Sequence, residues 1–393
     1  MKLLILTSRF PYPIEKGDKL RIYHQIRHLS QNHEIHLISI SDQEVEEAHR
    51  KHLESFCDSI HIFPIRKGGI AFSLLKGLFS SKPFQVHYFY RKRIHKKILK
   101  IAEELKPHRI YCQLIRMAPY VKGMESQKSI DYMDAFSLGM KRRARHHFGL
   151  KHFLFRWEAS KLRAYEELAF IDFNSHCIIS EQDREALLTP HRNKIQLIPN
   201  GVDTDYFHAR ENQAEFDLVF VGNLGYSPNI LAAKFLATQL LPRIRKDLPE
   251  VRLLLAGARP VKQVLELEKI PGVSIGGWYE DIREAYASGK IFAAPLFSGS
   301  GQQNKILEAM AMGIPCVSTS IVNKAIGAKA PREILLADDL EGLAEHCLFL
   351  LKNPDHILIQ SSHGRRFVEE NYSWSQSHKQ LEELFGRSVS LTR

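Results

Sequence analysis

The chain has 393 residues, 44% hydrophobic and 25% charged, the composition of an ordinary globular protein of two or three domains. No run reaches the roughly 18 apolar residues of a spanning helix. The apolar start, Leu3 to Leu6, meets Arg9 without a cleavage site, and five scattered cysteines suggest neither a disulfide frame nor a zinc site, so the expectation is a cytoplasmic protein. The net charge is +11, and the whole excess lies in residues 1–200, which leaves nucleic acid, anionic lipid or a phosphorylated substrate to be weighed as partners.

Residues 1–8 read as a short buried strand. Residues 9–19, with Pro11, Pro13 and Gly17, read as a loop. Leu20, Tyr23, His24, Arg27 and His28 fall at helical spacing, and 34–40 is a second strand, so the chain opens with a β–loop–α–β unit. Strands follow at 59–64, 109–114, 129–134 and 175–180, with helices at 91–105, 154–170 and 181–188. A second cycle begins near Asn200-Gly201-Val202-Asp203. Its strands 217–221, 251–256 and 290–295 end in Gly222, Gly257 and the segment 297–301. The expected fold is α/β with two Rossmann-like doubly wound domains, 1–198 and 199–372, and a helix at 373–388 packing back on the first.

Residues 290–319 carry the most chemistry. A strand leads into Ser298-Gly299-Ser300-Gly301, then a helix over 302–312 capped by Gly313, then another strand. Small residues let backbone N–H groups approach an anion, and a helix N-terminus adds partial positive charge. Lys305, one turn in, can reach the same anion. Glu308 stands in an otherwise apolar helix; it accepts from a ligand diol such as a ribose, or it is an exposed glutamate or a partner of Lys305. Gly17, with Asp18 and Lys19, is either a close-approach glycine beside a phosphate or sugar or a plain turn glycine.

Asn200-Gly201-Val202-Asp203, Phe220-Val221-Gly222, Leu255-Ala256-Gly257, Gly276-Gly277-Trp278 and Gly301 through Glu308-Ala309-Met310-Ala311-Met312-Gly313-Ile314-Pro315 together resemble glycosyltransferase family 4. The opening Ser8-Arg9-Phe10-Pro11-Tyr12-Pro13 and the run Gln303-Asn304-Lys305 to Ala311 most resemble the sugar transferases of bacterial exosortase (PEP-CTERM) systems. The resemblance implies a GT-B fold, two Rossmann-like domains facing across a cleft, and a retaining, metal-independent transfer from a nucleotide-sugar. It implies a donor site of Gly222, Asn223, Gly257, Gly277, Trp278, Ser300, Gly301, Gln303, Asn304, Lys305 and Glu308. It implies an acceptor-side loop at Gly17, Asp18 and Lys19.

Glu308 matches the second glutamate of the family's Glu-x7-Glu motif, whereas the first falls on Ser300. An arginine expected after Gly222 is Asn223 and no lysine follows nearby, so Lys305 is left to supply the charge. The histidine of many relatives is absent from strand 129–134, which leaves Asp134 as the polar candidate there, or as a plain strand-end aspartate. Lys305, Glu308 and Asp134 are the expected catalytic residues.

The basic clusters 91–100 and 141–145, the latter near Phe148, Phe153, Phe155 and Trp157, suit an anionic membrane surface, which would make the chain peripheral on the inner face of the cytoplasmic membrane. No nucleic-acid motif accompanies the charge. The expected activity is hexosyl transfer to a glycan or polyprenyl-linked acceptor, in exopolysaccharide or cell-surface glycan synthesis, with no cofactor and no metal. The alternatives are a GT-B-fold epimerase of nucleotide-sugars and a catalytically lapsed scaffold that binds them.

Overall fold

Short apolar runs become parallel strands here because helices cover both faces of each sheet, so successive side chains can be apolar in both directions. In the computed structural model, which describes residues 1–145, 147–187, 189–210, 214–297 and 302–386, two such sheets form. The first holds β1 (Lys2–Thr7), β2 (Glu34–Ser41), β3 (Ser59–Pro64), β4 (Arg109–Gln113), β5 (Gln127–Asp131), β6 (Ser175–Ile178) and β7 (Gln196–Leu197), in the order 3-2-1-4-5-6-7. The second holds β8 (Phe216–Val221), β9 (Leu253–Ala256), β10 (Val273–Gly277), β11 (Gly289–Ala294), β12 (Cys316–Ser318) and β13 (Leu335–Leu336), in the order 10-9-8-11-12-13. All the pairings are parallel.

The order reverses between β1 and β4 in one sheet and between β8 and β11 in the other. Loops part at such a reversal and leave a crevice at the strands' carboxyl ends, where ligands of this architecture bind. The chain divides into two units, Met1–Pro199 with the residues from Ser377 onward, and Asn200–Gln376.

In the first unit the two-residue period of β1 sends Leu3 and Ile5 to one core and Leu4 and Leu6 to the other. The helix Gly17–Leu29 covers the former with Ile22, Ile26 and Leu29. It begins earlier than its sequence suggests, since Gly17, Asp18 and Lys19 form its first turn instead of ending a loop. Its buried face also includes Arg21 and Gln25. Arg21 Nε reaches Asp131 Oδ2 at 2.5 Å, both side chains fully buried, and Tyr111 Oη donates to the same oxygen at 3.0 Å. The pair ties the helix to the end of β5; deleting one partner of such a pair strands a charge at a cost of about 3–5 kcal/mol.

The helix Trp374–Gly386 closes the first unit. Leu381, Leu384 and Phe385 join the core of Leu3 and Ile5. Arg109 Nη2 donates to Phe385 O at 2.7 Å, Glu382 pairs with His33, and His378 stacks on His28 with ring centroids 4.1 Å apart. Burial, with His28, His24 and Arg21 nearby, pulls the His378 pKa down to about 3.

The neutral His378 is thus favoured by the fold, and the unfolded chain takes up a proton first as pH falls below about 6.5. Its contribution to stability is present above pH 6.5 and is lost progressively toward pH 3. The His378→Phe variant keeps a ring against His28 but does not titrate. The midpoint of urea unfolding should fall more steeply with acidification in the parent than in this variant, and parallel curves would refute the assignment.

Candidate active site

The second unit gathers three glycine-bearing loops at the carboxyl ends of β8, β9 and β10. Gly222 N donates to Ala256 O at 3.0 Å, Leu224 N to Ala258 O at 2.9 Å, and Gly257 N to Gly277 O at 2.6 Å. Gly257 has φ of +134°, and a Cβ there would stand 1.8 Å from Gly222 O. Only a residue without a side chain allows this crossing. A Cβ on Gly222 would in turn lie 2.9 Å from Asn229 Nδ2 and 3.3 Å from Lys305 Cε, so its bare backbone makes the room that Lys305 occupies.

Lys305 lies in the helix Asn304–Ala311, which follows β11 at the reversal of the sheet. Its Nζ donates to Gln303 Oε1 at 2.9 Å and to Asn229 Oδ1 at 3.2 Å. Both partners are neutral. Desolvation pulls its pKa down to about 8, with Glu308 opposing the drop. Glu308 sits one turn further on and accepts from Tyr286 Oη at 2.7 Å; burial raises its pKa against the effects of Tyr286 and Lys305. The exposed-glutamate reading of Glu308 therefore fails, because a fully buried tyrosine fixes one carboxylate oxygen.

The other expected donor residues divide. Asn223 Oδ1 accepts from Gly225 N at 3.0 Å, so its side chain caps its own loop. Gly277 has φ of +61° with open space where a Cβ would stand, and Trp278 is exposed. Asn304 Oδ1 is buried without a hydrogen-bond partner among the described residues. Ser300 and Gly301 lie outside the described residues. Arg259 corrects the expectation that no other cation stands near the Gly222 loop. It is an exposed residue in the left-handed region, φ +56°, whose carbonyl lies 3.1 Å from where a Cβ on Gly225 would be.

The first unit has its own cluster at the reversal of its sheet. Asp18 Oδ2 takes Arg9 Nη1 at 2.5 Å and Arg116 Nη2 at 3.2 Å, and Arg116 Nε donates to Ser8 Oγ at 2.7 Å. Arg116 is buried over the Phe89 ring, and desolvation with Arg9 nearby lowers its pKa to about 10. Lys19 is buried beside a cavity of about 150 Å³ that Arg9 and Tyr12 also line, and burial lowers its pKa. Open space stands where a Cβ on Gly17 would be, so no packing among the described residues requires a glycine there.

Strand β5 ends at Asp131, so Asp134 lies in the loop beyond it and not on the strand, directly after Met133 at φ +60°. A non-glycine residue held in that region costs of order 1 kcal/mol and is typical of functional loops. Asp134 keeps contact with solvent but is crowded by protein. Lost hydration, then the carboxylates of Asp183 and Asp131, push its pKa up to about 7.

Sequence reasoning missed Tyr286, Asn229, Arg116 and Arg259. Nothing in the spacing of single residues on separate elements could place Tyr286 and Asn229 beside the motif, Arg259 beside the Gly222 loop, or Arg116 beside Asp18.

Residues 215–353 match the family model for glycosyl transferases group 1. Along nearly its whole length the chain is similar to a 44.6 kDa protein in the cps region of Klebsiella pneumoniae, 23% identical over 392 residues, covering 94% of this chain and 96% of that protein. It is similar to the sulfoquinovosyl transferase SQD2 of Arabidopsis thaliana at 29% identity over 141 residues, 32% of this chain and 26% of that protein. In fold it resembles Anabaena Alr3699/HepE solved with UDP, with a TM-score of 0.68 at 14% identity over 98% of this chain and 100% of that one. The fold is GT-B. Among the described residues, no helix is long and apolar enough to cross a membrane.

The glycine crossing of the second unit makes a graded prediction. Gly257→Ala must push backbone off backbone and should cost roughly 4 kcal/mol, whereas Gly222→Ala meets movable side chains and should cost roughly 1–2 kcal/mol. Urea titrations of the two variants check the order, and equal midpoints would refute it.

Proposed function

We propose that the chain is a retaining glycosyltransferase that moves a sugar from a nucleotide-sugar to a glycan or polyprenyl-linked acceptor without a metal. The observation that carries this reading is the helix Asn304–Ala311, which starts at the sheet's reversal and presents a partly neutralised lysine and a tyrosine-held glutamate one turn apart. The donor's diphosphate would lie at the helix N-terminus against Lys305, where it meets N–H groups and a cation whose present partners are neutral amides. The ribose hydroxyls would donate to Glu308. Charge on the departing nucleoside diphosphate would be stabilised by this prearranged environment, and the acceptor would attack from the face the diphosphate leaves.

Asp134, exposed in the loop after β5 with its pKa raised by lost hydration and by Asp183 and Asp131, is the catalytic candidate of the first unit. The complexes of Alr3699/HepE with UDP and with UDP-glucose support a nucleotide-sugar donor, and the cps-region relative supports surface polysaccharide synthesis. The resemblance to exosortase-associated transferases belongs to the same reading.

Transfer from a panel of nucleotide-sugars to lipid-linked acceptors, with EDTA present, tests the proposal. Donor binding without transfer would return it to a lapsed scaffold, and conversion of the donor sugar to its epimer would make it an epimerase. Glu308→Gln should lower transfer efficiency about 10- to 150-fold through the loss of a charge-assisted hydrogen bond, and unchanged kinetics in a folded variant would sink the ribose role. Because Lys305 loses its proton near pH 8, donor KM should rise as pH passes that value. Lys305→Arg should remove the rise, and a rise that persists in the variant would point to another group.

A further inference from the structure

We infer that one face of the first unit, formed by the helix Lys67–Gly77 with the turn after it and by the segment 141–156, docks on an anionic lipid bilayer. The inference holds whichever reaction the second unit performs. Residues 59–102 contain ten lysines and arginines and no acidic residue, and residues 135–157 contain six and none. Two such stretches, far apart in the chain, exceed what solubility needs.

The fold joins them. The helix Lys67–Gly77 packs on the helix Phe84–Phe89, where a Cβ on Gly77 would lie 3.0 Å from the Phe84 ring. The latter helix is fastened to the helix Gly149–Ile171, since Glu158 accepts from Phe84 N at 2.9 Å and from Gln85 N at 3.3 Å. Lys161 Nζ donates to Gly77 O at 3.0 Å and covers the Trp157 ring at 3.4 Å. Glu158, the carboxylate that follows the second stretch, is buried in this joint and opposes none of the surface charge.

Large apolar side chains project from both of the joined elements. Phe79 is 94% exposed and Phe148 is 92% exposed, with Phe72, Leu75, Leu150 and Phe153 exposed beside them. Lys76 stands over the Phe72 ring at 4.5 Å, and Lys82, Arg143, Arg145, Lys151 and Arg156 are exposed around them. Exposed aromatic and aliphatic residues gathered on two joined elements mark a surface that is covered in use. Cations among them select an anionic partner, and protruding phenylalanines select one with hydrocarbon to enter, which is a bilayer and not a nucleic acid. A second copy would bring like charges together.

The geometry also corrects the sequence expectation of which residues insert. Phe155 stacks on His147 at 5.1 Å, and Trp157 packs against Phe84 at 5.4 Å, so of the four aromatics named there Phe148 and Phe153 are free to enter. The helix Lys92–Leu105 buries Ile98 and Ala102 in the core; it adds field through Lys92, Arg93, Lys96, Lys97 and Lys100 but offers no inserting side chain.

The test is flotation of the full chain with vesicles of phosphatidylcholine alone and of phosphatidylcholine with phosphatidylglycerol, over a salt series. Binding should require phosphatidylglycerol and weaken as salt rises. A salt-resistant remainder should persist, and Phe79→Ser with Phe148→Ser should abolish it and reduce affinity about tenfold or more. Both positions are exposed, so circular dichroism should be unchanged. Equal binding to both vesicles, binding to neither, or binding indifferent to the double variant would overturn the inference. So would tighter binding to duplex RNA, or a dimer that the double variant dissolves.

Discussion

The passage of one peptide across another, Gly257 over the carbonyl of Gly222, is the constraint on which the second unit's candidate site depends. It brings the ends of β8 and β9 close enough for their loops to exchange backbone hydrogen bonds. It also leaves beside β8 a space into which Lys305 and Asn229 extend. A side chain on Gly222 would crowd the volume that the lysine uses, and one on Gly257 would strike the Gly222 carbonyl. The chemistry of the site is therefore set first by what two residues lack.

Both units place ionic chemistry where their sheets reverse, but they treat it differently. In the first, Arg116 and Arg9 share the carboxylate of Asp18, and Arg21 and Asp131 are buried as a pair. Such pairs hold geometry and have little freedom to respond to a ligand. In the second, Lys305 is bonded only to amide oxygens and Glu308 only to a tyrosine among the hydrogen bonds observed. Their charges are desolvated without being directly paired, so an incoming diphosphate or diol meets groups whose electrostatic demand is unmet. That contrast is why the reactive reading falls on the helix Asn304–Ala311.

The fold was legible because strand-length apolar runs alternating with helical spacing admit few arrangements other than doubly wound sheets. Glu308 was legible for a local reason, a carboxylate in an apolar helix. What the sequence hid was of two kinds. Partners such as Tyr286 and Arg116 come from elements distant in the chain, and their residue types are unremarkable where they stand. The start of the helix Gly17–Leu29 was hidden by Pro13 and Gly17, which read as loop residues, although glycine and aspartate are tolerated in a first turn. The burial of Arg21 there could not be read either, since helical spacing says that a residue faces the core but not that an aspartate waits for it.

The helix Trp374–Gly386 leaves the first unit discontinuous in sequence, with Leu381, Leu384 and Phe385 delivered to a core that otherwise ends at Pro199. A ribosome emits residues in order, so the first unit waits through the synthesis of the entire second unit with part of one core uncovered. The second unit, whose segments are contiguous, can be finished first. The hydrophobic surface at greatest risk during synthesis is thus the one that the last helix covers, and truncation near the C-terminus would be felt at β1, some 380 residues away in the chain, before it was felt at the helix Asn304–Ala311.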